Sequence, residues 1–191
     1  TTTFIAVADS FIGADGDENA NFGDASALRL AKAGTRKTLV AFDQDALTGA
    51  IAGKTVVTAS LEVFTTSAAE GFPTRGMNLV AHRLTTPWTE AGATFNCAID
   101  SDPTNGLTDC TGSSAWTPAG PTFPYVTKGA KTLVLNGNTG WIKFDVTRDV
   151  KAIARGATSH GWLIKRENEA KGGRIAFRSR ESANANKPRL V

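Results

Sequence analysis

The C-terminal stretch "GGRIAFRSRE" carries three arginines in seven positions, Arg174, Arg178 and Arg180. Side chains of an extended strand alternate between faces, so a strand here projects all three to one side and Ile175 and Phe177 to the other. A guanidinium is a planar fork that grips a carboxylate through two hydrogen bonds, so such a row suits an acidic ligand. Trp141 and Lys143 in "GWIKFDVT" point away from the core of their own strand by the same rule. Lys165 or Trp162 in "SHGWLIKRE" joins them, depending on register. If these strands share one sheet, cations and a flat ring meet on its outward face. A uronic acid polymer calls for that mixture, charge for its carboxylates and a ring for its sugar faces. The same pattern also describes an ordinary solvent face, where Arg and Lys keep edge strands from pairing with neighbours.

Carboxylates cluster in the loop "GADGDENANFGD", and Asp15, Asp17 and Glu18 are the candidate ligands there for a structural calcium ion. Calcium takes six to eight oxygens, often from one loop. The spacing is not that of an EF-hand, and Asp, Asn and Gly are also ordinary turn residues. "DSDPTNGLTD" has a similar look. No cofactor is required by any pattern in the chain. Enzyme signatures are missing: there is no nucleophile elbow, no HExxH and no phosphate-cradling Gly-Lys loop. His82 beside Arg83 and the single Tyr125 are the only raw material for proton abstraction, so the expectation is a non-catalytic protein. Trp88 and Glu90 in "PWTE" read as architecture, an indole capping the core and a carboxylate accepting hydrogen bonds at a corner.

Cys97 and Cys110 flank a polar, turn-rich segment. A disulfide and a pair of free thiols are both open. The disulfide is the preferred reading, and it implies an oxidising, extracellular compartment. The net charge of +3 and sequence pI of about 9.0 are only mildly basic, which argues against a dedicated nucleic-acid binder. No apolar run approaches the roughly 18 residues of a spanning helix, so no membrane insertion is expected. The opening "TTTFIAV" has neither Met nor a basic-then-apolar leader and reads as processed.

Positioning these residues falls to short alternating strands. "RKTLVAFDQ" sets Val40 and Phe42 against Leu39 and Ala41. "TVVTASLEVFTTS" sets Val57, Ala59, Leu61 and Val63 against Thr58, Ser60, Glu62 and Phe64. "GMNLVAHRLTTPW", "GWIKFDVT", "SHGWLIKRE", "GRIAFRSRE" and a brief "PRLV" continue the pattern. One short helix is expected in "DVTRDVKAIARG", with Thr147 as N-cap and Gly156 as C-cap, plugging an open end. Residues 91–140 are the least regular part. No repeat or linker divides the chain, so residues 1–191 form one all-β domain, an antiparallel β-sandwich or jelly roll with one short helix.

Several signatures occur in order: "VADSFIGADGDENANFGDASALRL", "HRLTTPWTEAGATFN", "GWIKFDVTRDVKAIARG" and "IAFRSRESANANKPRLV". Together they resemble the DNRLRE domain, an extracellular β-sandwich related to disaggregatase-type carbohydrate-binding modules, from about Val7 to Val191. The resemblance implies a jelly roll and a non-catalytic role on secreted or cell-surface proteins. The family's carbohydrate-binding members recognise acidic polysaccharides of the alginate kind, and together with the strand faces above this makes Arg174, Arg178, Arg180, Lys143 and Trp141 the candidate ligand-binding residues. The alternative is a self-assembling subunit of an extracellular filament or matrix. In that reading the β-prone, almost uncharged N-terminal residues add as a strand to a neighbour's sheet.

Overall fold

The computed structural model describes residues 1–14, 16–31, 34–66, 71–111, 116, 124–183 and 185–191. Eleven strands and two helices follow one another as β1 (Phe4–Ile5), β2 (Ala8–Gly13), β3 (Ala27–Leu30), β4 (Arg36–Ala41), α1 (Gln44–Ile51), β5 (Ser60–Thr65), β6 (Met77–Arg83), β7 (Ala130–Val134), β8 (Gly140–Asp145), α2 (Thr147–Ile153), β9 (Trp162–Arg166), β10 (Ile175–Arg178) and β11 (Arg189–Leu190). They make two antiparallel sheets. The first runs β1-β11-β5-β10-β3, with β8 on the other side of β5, and the second runs β2-β4-β9-β6-β7. β11 and β10 lie end to end along one edge of β5, at Leu61–Glu62 and at Thr65. The expected β-sandwich is present.

Alternation builds the core between the sheets. Leu61, Val63, Ile142, Phe144, Ile175 and Phe177 of the first sheet meet Val40, Leu79, Ala81, Trp162 and Ile164 of the second. The first sheet keeps one wet face, so β8 and β10 alternate cleanly between buried and more open residues. The second sheet does not. Leu39 and Val40 point to opposite faces and are both fully buried. Its outer face, with Ile12, Leu39, Leu84 and Leu163, is covered by Ala93, Phe95, Ala98 and Trp116 from the irregular segment. Trp116 donates through Nε1 to the Thr94 carbonyl, and Trp88 donates to the His160 carbonyl. The Cys97–Cys110 disulfide ties this cover to itself, beside the Asp100–Cys110 bridge.

Trp162 therefore faces the interior, and Lys165 belongs to the second sheet, away from the arginine row. Val57 is 76% exposed, because β5 starts only at Ser60. Two helices are present where one was expected. The overlooked helix α1 announces itself locally, since the Asp43 side chain accepts from the Ala46 N–H. In α2, Thr147 is the first helical residue and not the cap. Its hydroxyl accepts from the Ala59 N–H, and Asp145 accepts from the Thr147 N–H. Gly156 follows α2 with φ of 91°, a left-handed conformation suited to a helix exit. Gly161 precedes β9 with φ of 92°, and a Cβ there would stand 2.2 Å from the Val40 carbonyl oxygen. Leu47 from α1 and Val150 and Ile153 from α2 all enter the central core. The N-terminal strand docks on its own domain, with Phe4 opposite Leu190. No helix among the described residues is long and apolar enough to cross a membrane.

This burial pattern separates neighbours on one strand. Phe177→Ala is expected to cost about 3–5 kcal/mol, and Arg178→Ala less than about 1 kcal/mol, both read from denaturant midpoints. Reducing the disulfide, whose cysteines are 13 residues apart, should remove roughly 3 kcal/mol. Equal midpoints with and without reductant would show that the cover does not depend on the bond.

Candidate functional site

The outward face of the first sheet collects charge and aromatic surface across four strands. Register sets Phe64 opposite Trp141 and Glu62 opposite both Lys143 and Arg189. Glu62 points outward yet is only 3% exposed, because its two cationic neighbours close over it. Lys143 Nζ lies 2.9 Å from Oε1, and Arg189 donates through Nη2 and Nε to Oε2 at 2.7 and 2.9 Å. Burial pushes the Glu62 carboxyl up, but the bonds from Lys143 and Arg189 outweigh it and hold the group below its usual range.

Held by Glu62, the Arg189 guanidinium lies 4.0 Å from the centroid of the Trp141 ring. Trp141 meets Phe64 edge-on at 5.3 Å, and Arg178 sits 5.2 Å from the Phe64 centroid. A continuous strip results: Lys143, Glu62, Arg189, Trp141, Phe64, Arg178. Arg29 is level with Ala176 on the same face, opposite β10. Arg29, Arg36, Arg174 and Ala176 border a depression of about 380 Å³ next to the strip. Asp17 pairs with Arg36 at 3.0 Å. Among the described residues no carboxylate pairs with Arg178 or Arg29, and the buried Nε of Arg178 donates to nothing.

Of the residues singled out in the sequence, Trp141, Lys143 and Arg178 come together here, and Arg174 lies further along the same side of β10. Arg180 does not join them. β10 ends at Arg178, so alternation stops, and Arg180 turns to Glu90, donating through Nη2 at 2.6 Å and Nε at 3.1 Å. Glu181 is 3.1 Å from the same Nε. Two members of the strip went unassigned in the sequence. Arg189 was legible as the outward neighbour of apolar Leu190 in "PRLV", and Phe64 as the outward neighbour of Val63.

The acidic loop uses its side chains internally. Asp17 is bound by Arg36, and Glu18 accepts from the Gly16 N–H. Asp15 lies outside the described residues. In the second acidic loop, Asp100 accepts from the Asp102 and Asp109 N–H groups. His82 keeps its Nδ1 on the Val126 carbonyl and its ring 4.3 Å from Tyr125, and burial pulls its pKa down, so the ring is neutral at pH 7.

Since the Glu62 carboxylate titrates lower in the folded chain than its reference value of 4.5, the stability it contributes is complete above that pH. It is lost as pH falls through the lower folded value. Glu62→Gln is expected to cost about 1 kcal/mol at pH 7 and to flatten the acid limb of a stability–pH curve. An unchanged acid limb would remove Glu62 from that role.

A comparison with curated proteins finds no match to the chain. The family model for carbohydrate-binding module family 96 matches residues 1–117 and 111–191. These two segments run from one end of the sequence to the other and include every strand of the aromatic and cationic face. The chain belongs to carbohydrate-binding module family 96.

Proposed function

We propose that the outward face of the first sheet binds an acidic polysaccharide of the polyuronate kind, and that the protein works outside the cell as a non-catalytic module. The observation that carries this reading is the unmatched charge of Arg178 beside the Phe64–Trp141 pair. A guanidinium already fixed against a ring loses little freedom on gripping a carboxylate. The half-buried Trp141 ring offers apolar surface for a pyranose, while Lys143, Arg174 and Arg29 extend positive charge to either side. Glu62 supports the arrangement from beneath by holding Arg189 against the indole. Family membership supports a carbohydrate ligand, and the surplus of cations favours acidic chains over neutral ones. The disulfide supports an oxidising, extracellular setting.

Retardation in gels containing alginate tests the assignment, with a neutral glucan as control. The wild-type chain should be retarded by alginate alone, and less so as salt rises. Arg178→Ala and Trp141→Ala should each weaken binding about tenfold or more, with little change in the melting temperature of Arg178→Ala. Arg180→Ala should keep its retardation and lose stability instead. Undiminished retardation of both the Arg178 and the Trp141 variants would overturn this face as the site.

A further inference from the structure

Just beyond the end of β10, three carboxylates from distant parts of the chain converge. Asp9 of β2, Glu90 of the covering segment and Glu181 after β10 each bring an oxygen within 4.8 Å of the others. Asp9 is fully buried. Its Oδ2 accepts the Arg180 N–H at 2.7 Å, and its N–H donates to Glu90 Oε1 at 2.7 Å. Its second oxygen, Oδ1, has no donor, and neither does Oε2 of Glu181. The fully buried hydroxyl of Ser179, two residues before Glu181, also lacks a partner.

Charge is unbalanced as well. Among the described residues Arg180 is the one cation in direct contact, and its guanidinium is shared between Glu90 and Glu181. Three carboxylates against one guanidinium leave two negative charges uncompensated in a half-buried site. Asp9 also lies within hydrogen-bonding reach of Glu181, a contact that two ionised carboxylates cannot satisfy without a bridging proton or cation. Orphaned acceptors in a buried cluster are expensive unless a proton or a metal ion fills the gap.

We propose that Asp9, Glu181 and Glu90 bind a calcium ion, with Asp9 Oδ1 and Glu181 Oε2 as direct ligands. The donors are all oxygens and no His or Cys approaches them among the described residues, which favours a hard cation over zinc or copper. Two carboxylate ligands leave room for water to complete a flexible shell, the preference of calcium. The ion would join β2, the covering segment and the end of β10, which Arg180 alone now ties together. This site is separate from the sugar-binding face and does not depend on it.

The test is isothermal titration of the chelator-stripped protein with calcium chloride, paired with melting curves in calcium and in EDTA. If the dissociation constant is about 10⁻⁴ M, as in extracellular modules, 10 mM calcium should raise the melting temperature by roughly 5–10 °C. Glu181→Gln should abolish both the heat of binding and the calcium-dependent shift, while melting in EDTA at or above the wild-type temperature. Asp9→Asn keeps the acceptor for the Arg180 N–H and should likewise lose the shift. No heat and identical melting in calcium and EDTA would overturn the proposal and leave a shared proton between Asp9 and Glu181. A calcium shift that survives in both variants would place the ion elsewhere and overturn it equally. Polysaccharide retardation by the Glu181→Gln chain reports on the other face independently.

Discussion

A two-sheet sandwich has two outer faces, and in this molecule one of them is already taken. Segment 86–116 lays Ala93, Phe95, Ala98 and Trp116 across the second sheet, burying Leu39 and Leu163 on the side where solvent would otherwise lie. Much of the rest follows from this asymmetry. The second sheet becomes a middle layer and carries nearly continuous buried runs, as in β4. The first sheet is left with an open face, and chemistry that must meet a long polymer on a broad surface has that face available. The Trp88 and Trp116 indole N–H groups each find a carbonyl, so the cover is held by directed bonds as well as by apolar area.

On the open face, Glu62 organises the charge. Isolated, a carboxylate lying among cations would weaken an anion-binding surface. Here it is covered by the two residues it binds, Lys143 and Arg189, and it holds the second of them over the Trp141 ring. One buried negative charge thereby orders one aromatic ring and one guanidinium. Arg178, at the other end of the Phe64–Trp141 pair, has no such counterion among the described residues. The gradient across the strip, from compensated to uncompensated positive charge, gives the face a direction along which a carboxylate-bearing chain would be drawn.

The fold was legible where period-two burial holds. Ile175 and Phe177 are inside and Arg178 outside, as the alternation in "RIAFR" requires. Reading failed where local rules give way to tertiary ones. Arg180 continues the spacing of Arg174 and Arg178, yet β10 stops two residues earlier, and no local feature marks that stop. Trp162 against Lys165 could not be decided because both faces of β9 are buried near its start. α1 escaped because its eight residues include Gly49 and its apolar contribution to the core is mainly Leu47, although Asp43 was a readable cap. The strip itself was half legible. Its members lie on strands spread over more than a hundred residues of sequence, and which strands pair is set by topology and not by composition.

The carboxylate cluster shows the same limit from the other side. Asp9, Glu90 and Glu181 sit in "ADSF", "PWTE" and "SRES", three of the short signatures that carried the family resemblance, and nothing in the spacing of the chain connects them. Acidic loops such as "GADGDENANFGD" attract attention because their carboxylates are adjacent, yet adjacency mostly lets them satisfy one another's backbone or a nearby arginine. Carboxylates that converge from afar have no such local donors. Asp9 is held at Oδ2 by the backbone of Arg180, whose side chain is held by Glu90, whose own oxygen receives the Asp9 N–H. That closed circuit fixes the end of β10 against β2 and the cover. The aromatic face and the acidic cluster thus lie on one stretch of chain, Arg178 at the end of β10 facing the first and Arg180 and Glu181 just beyond it belonging to the second.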